Sequence, residues 1–90
     1  MKNTQTVGRV DLRTTEMEYL IWEQIKHGRN GTHLIASFVH IQDAYTFCEA
    51  QVKRLKKNNK VYRLGIEQLN SGCLDRLIAR YESPVELWRS

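Results

Sequence analysis

The sequence predicts a small α+β domain, a two-layer antiparallel sheet of three to four strands packed by one main helix, with a short C-terminal helix. The expected element order is β-β-β-α-β-α. Three observations carry this. An apolar stripe at helical spacing runs through the middle of the chain, an Asn-Gly pair sits between two apolar runs, and a strand pattern of Val61, Tyr62, Leu64 and Ile66 follows the stripe.

From the N-terminus, Thr6 to Leu12 sets Val7, Val10 and Leu12 in an imperfect alternation, expected as an edge strand. Tyr19 to Lys26 is expected as the next strand. A helix competes for residues 16–27, because Thr15 and Glu18 form a capping-box pattern and Met17, Leu20, Ile21 and Ile25 fit a stripe ending at Gly28. Strand is favoured because Tyr19 and Trp22 fall off that stripe.

Asn30-Gly31 is the preferred dipeptide of a type I′ turn, in which both central residues need positive φ. A two-residue turn there pairs Ile25 with Ala36 and Glu23 with Phe38 on one face. Trp22 with Val39 and Lys26 with Ile35 share the other. The partner strand is His33 to Val39.

The main helix is expected from Gln42 to Asn58. Ile41, Tyr45, Cys48, Val52 and Leu55 recur at spacings of four, three, four and three, and Ala44 widens the stripe. Asp43 favours the N-terminal end of the helix dipole, and Lys53, Arg54, Lys56 and Lys57 favour the C-terminal end. A strand follows from Lys60 to Leu69, with Gly65 a bulge position, and then a turn at Asn70-Ser71-Gly72.

Leu74, Leu77, Ile78 and Tyr81 follow i, i+3, i+4, i+7 and predict a short amphipathic helix. Ser83 as N-cap, Pro84 in the first turn and Glu86 at N3 predict a last turn carrying Leu87 and Trp88.

Tyr19, Ile21, Ile25, Leu34, Ala36 and Phe38 are expected to face the helix. Leu20, Trp22, Ile35 and Val39 fall on the opposite face, which is too apolar to stand open. Its expected cover is the 74–81 stripe, with a homodimer or a target as the alternatives.

Ninety residues make a single domain, 1–90, with one modest core. Hydrophobic content of 41% and charged content of 27% are those of a globular chain. The longest apolar run, Tyr19 to Trp22, is far short of a membrane span. MKNTQTVGRV has no apolar stretch after its lysine, so no secretory signal is read there. A cytoplasmic location with no membrane partner follows as the expectation, with Cys48 and Cys73 reduced.

No constellation for catalysis stands in the chain. Cys48 lies on the apolar stripe, the place of a structural thiol. Cys73 has no histidine near it in sequence. His27, His33 and His40 lack the i, i+2 or i, i+4 spacing of a metal pair. Glu16, Glu18 and Glu23 read as a solvated face. Gly28-Arg29-Asn30-Gly31 lacks the lysine and the strand–loop–helix setting of a phosphate loop. The expectation is therefore a protein that is not an enzyme, with no catalytic residues, metal or cofactor.

Two features point to partners. Lys53, Arg54, Lys56, Lys57, Lys60 and Arg63 form the densest charge cluster in a chain of net charge +4. Such a ridge can follow phosphates, although it also compensates a helix dipole and solubilises. No aromatic is interleaved in it, and neither an RNP pattern nor a zinc-finger spacing occurs. Trp22 and Trp88 are residue types that anchor interfaces when they do not complete a core. The sequence thus predicts a small binding protein acting as a regulator, adaptor or inhibitor through a protein partner. The alternative is a nucleic-acid-binding regulator using the basic ridge at 53–63.

Overall fold

A computed structural model describes residues 17–70 and 73–90. The expected strand at 6–12 and two of the turn residues, 71 and 72, lie outside them. The described elements are β1 (Met17–Ile25), β2 (His33–Phe38), α1 (Ile41–Lys57), β3 (Tyr62–Asn70), β4 (Cys73–Glu82) and α2 (Val85–Arg89). They form one four-stranded sheet, in the order β2-β1-β3-β4, with every neighbouring pair antiparallel. This is the small α+β arrangement the periodicities predict.

Residues 17–25 form a strand and not the competing helix. The strand solution buries Ile21 completely under α1 while sending Trp22 to the other face, which a helical stripe excluding both Tyr19 and Trp22 could not do. The helix stripe also falls as its spacing requires. Ala44, Cys48 and Leu55 are buried, and Ile41, Tyr45 and Val52 pack beside them. Opposite them stand Ile21 of β1 and Tyr62, Leu64 and Ile66 of β3. The helix stops at Asn58-Asn59, where Asn59 takes a left-handed φ of 56° and Lys60 N–H reaches back to the Leu55 carbonyl at 2.9 Å.

The expected Asn30-Gly31 hairpin register is not the one formed. Tyr19 lies opposite Phe38 and Glu23 opposite His33, so residues 26–32 connect the strands. The reason lies on the neighbouring strand. Lys26 N–H donates to the Val61 carbonyl at 2.8 Å, so the chain continues along β3 beyond the point where it leaves β2. Positive φ falls at His27 (63°) and Gly31 (84°), not at Asn30.

A second correction concerns Leu34 and Ile35. Between the pairs Ile21–Ala36 and Trp22–Leu34 the register shifts by one, and Ile35 is skipped. The extra residue inverts the parity of the strand. Ile35 therefore packs on the core, and Leu34 is 51% exposed on the other side.

The expected helix at 74–81 is a correction of the same kind. This stretch is β4, paired to β3 along its length. It has two register shifts, which skip Ile78 and Asp75. Ile78, Ala79 and Tyr81 then reach the core while Leu77 is 46% exposed on the opposite face. Two inserted residues convert an alternation of two into a spacing that imitates a helix. The 74–81 stripe therefore does not cover the open face, because it is part of the sheet. Gly65, expected at a bulge, stays in register between Trp22 and Arg80.

Candidate functional site

The face of the sheet turned away from α1 holds an open groove of about 980 Å3. Its floor comes from the central strands. Trp22 of β1 lies directly opposite Gly65 of β3, and Gly65 lies opposite Arg80 of β4. The glycine leaves room on this floor, since a Cβ there would stand 3.3 Å from Leu77 Cδ1. Val85 and Trp88 of α2 add a wall. Leu34, beside Trp22 in the β1–β2 ladder, carries the apolar surface toward the sheet edge.

The wall is held from three directions. Ser83 is 6% exposed and pairs reciprocally with Tyr62, its Oγ accepting from Tyr62 N–H at 3.0 Å and its own N–H donating to the Tyr62 carbonyl at 2.9 Å. That hydroxyl was expected to cap α2, but the sheet takes it, and Pro84 stands before the helix with no side-chain cap. Lys26 Nζ donates to the Leu87 carbonyl at 2.6 Å and also to the Ser90 carbonyl. The Arg63 guanidinium lies 4.3 Å from the centre of the Trp88 ring, a cation–π distance, and its Nε is 3.4 Å from Glu82 Oε1. The indole N–H groups of Trp22 and Trp88 are buried without a hydrogen-bond partner among the described residues.

The sequence-predicted residues therefore separate into two places. Trp22, Trp88 and Arg63 come together on the groove. Lys53, Arg54, Lys56 and Lys57 lie exposed at the end of α1, on the other side of the sheet, and Lys60 follows them. Arg54 donates to Gln51 Oε1, and Gln51 donates to Glu23 Oε2 at 2.6 Å, which ties the helix to β1. Arg63 does not extend the ridge, because it alternates to the open face while Tyr62 and Leu64 turn inward.

Leu77, Arg80 and Val85 of the groove were not among the sequence candidates. Reading 74–81 as a strand with exposed Leu77 would have found Leu77 and Arg80. The β1–β2 loop was missed as well. It brings Arg29 and His33 to a cavity of about 330 Å3 shared with Lys60 and Leu55. The only signal for it was a basic loop that must lie at the same end of a ββα unit as the end of the helix.

Cys48 is free and fully buried, and burial, with Glu49 adding, pushes its thiol up to about 11. A thiol so placed carries little thiolate near neutral pH. No group of three His, Cys, Asp or Glu gathers among the described residues. No described helix is long and apolar enough to cross a membrane.

No protein-family model, curated protein or solved structure matches the chain. The candidate residues gather on two surfaces, the groove and the basic helix end.

Proposed function

We propose that this chain is a small non-enzymatic binding protein that acts as a regulator, adaptor or inhibitor by docking a protein partner in the groove. One observation carries the reading. Trp22 and Trp88, far apart in sequence, line one open groove with Leu77 and Val85, which are 46% and 51% exposed. Tryptophan and arginine at the centre of an apolar surface are the residues that dominate protein–protein affinity. Small domains seldom leave several large apolar side chains wet, since each forgoes ~1–2 kcal/mol of burial. The partner that fits presents an apolar or aromatic side chain to Leu77 and Val85. It also presents an acceptor to Arg80, which has no ion-pair partner among the described residues.

The test is a matched capture. Wild type and the variants Leu77→Asp and Val85→Asp are used as bait, the partner is identified by mass spectrometry, and binding is then measured by calorimetry with the purified partner. Both positions are exposed, so circular dichroism and melting temperature should be nearly unchanged. Affinity should fall by about thirtyfold or more, as for a central anchor. A partner that binds all three proteins equally uses another surface, and the groove reading then fails.

A further inference from the structure

We infer that the pole of the molecule formed by the β1–β2 loop and the end of α1 binds the phosphate backbone of a nucleic acid. This site is separate from the groove and does not rest on it. Five cations lie on these two elements and the residues that follow the helix. Lys53, Lys56 and Lys57 are exposed on the last turns of α1, and Lys60 follows its stop. Arg29 comes from the loop, and it lines one cavity with Lys60 and His33. None of the five has an ion-pair partner among the described residues.

The loop is fixed at this pole. Lys26 N–H bonds the Val61 carbonyl at 2.8 Å, Gly28 N–H bonds the Ile25 carbonyl at 3.1 Å, and His33 Nε2–H donates to the Asn30 carbonyl at 2.7 Å. Arg29 is therefore presented beside Lys60, across the mouth of a small cavity from the helix end. Dipole compensation accounts for cations within the last helical turn, because the effect fades beyond it. It does not account for Lys60 or Arg29.

The composition of the pole decides the class of partner. Lysine is depleted in the centre of protein–protein interfaces, where tryptophan and arginine are enriched. Lysine and arginine without acidic partners are what neutralise phosphates and release their counterions. The groove and the pole thus divide by residue type, and the lysine-rich surface fits a polyphosphate chain. Backbone contacts of this kind bind without reading base sequence.

Fluorescence anisotropy of a labelled DNA duplex, with a single strand of the same length alongside, tests this across roughly 50 to 200 mM salt. Five phosphate contacts on the duplex give a log–log slope of about −4.5 and a loss of affinity of roughly 500-fold over that range. The triple variant Lys53→Gln, Lys56→Gln, Lys57→Gln should flatten the slope by about 2.7. The double variant Arg29→Gln, Lys60→Gln should flatten it by about 1.8. Arg76→Gln, exposed on β4 and away from the pole, should leave it unchanged. No binding to either nucleic acid at low salt overturns the inference. So does displacement by polyglutamate at equal charge concentration, which points to an acidic protein surface. A normal slope in the double variant overturns the two-element site and leaves only the helix end.

Discussion

The two faces of the sheet come from the same strands and differ only in which alternate side chains they carry, yet they are finished differently. On one face α1, seventeen residues long, holds Ile21, Leu64 and Ile66 at 2% exposure or less. On the other, α2 has five residues and none of them is buried. Length explains the contrast. At 1.5 Å per residue α1 runs about 25 Å and α2 about 8 Å, against strands of about 30 Å. The long helix roofs its face, and the short one only walls the end of its own. Burial is thereby concentrated on one side of the sheet, and the other keeps an open groove.

That division can be broken by substitution, and the largest effect belongs to the covered face. Ile66→Ala removes a fully buried side chain of β3 from the core under α1, and should cost about 2–5 kcal/mol in a urea titration. A loss under about 1 kcal/mol would show that the covered face does not carry the fold.

A smaller effect on the same face comes from pH. The Cys48 thiol is raised from 9.0 to about 11 by burial and by Glu49. A group raised in the folded state stabilises below its unfolded value and loses that contribution as pH climbs through its folded value. The stability difference between wild type and Cys48→Ala should therefore be flat below pH 9.0 and narrow toward pH 11. A difference that is constant through that window would mean the thiol is not desolvated.

The smallest effect belongs to the open face. Leu77→Ser should change stability by about 0.5 kcal/mol or less, because the side chain is already half in water. A cost matching that of Ile66→Ala would mean that Leu77 belongs to a second core and that the groove is closed in solution.

The covered face was legible in the sequence, and the open face only partly so. The α1 stripe from Ile41 to Leu55 could be read directly, because an unbroken helix keeps its period over seventeen residues. β1 and β3 were legible for a similar reason, since they pair residue for residue from Met17–Asn70 to Ile25–Tyr62 with no shift. β4 was not, because the residues skipped at Asp75 and Ile78 break its alternation, and its apolar positions then fall at helix-like intervals. The residue skipped at Ile35 likewise exchanged the faces of Leu34 and Ile35. Trp22 and Trp88 could be nominated by residue type, but their meeting depends on how the chain turns at Ser83, whose hydroxyl bonds the sheet instead of capping α2. Arg29 gave no signal of its own. Its value comes from the loop that stands it beside Lys60.

The skipped residues have a consequence for how this protein meets copies of itself. All of them lie in the two outer ladders, on β2 and β4, whose outer sides are the edges of the sheet among the described residues. A regular edge offers a row of free N–H and C=O groups on which a foreign strand can grow, and an irregular one interrupts that row. The kinks in β2 and β4 interrupt that row, which makes these edges poor templates for a foreign strand.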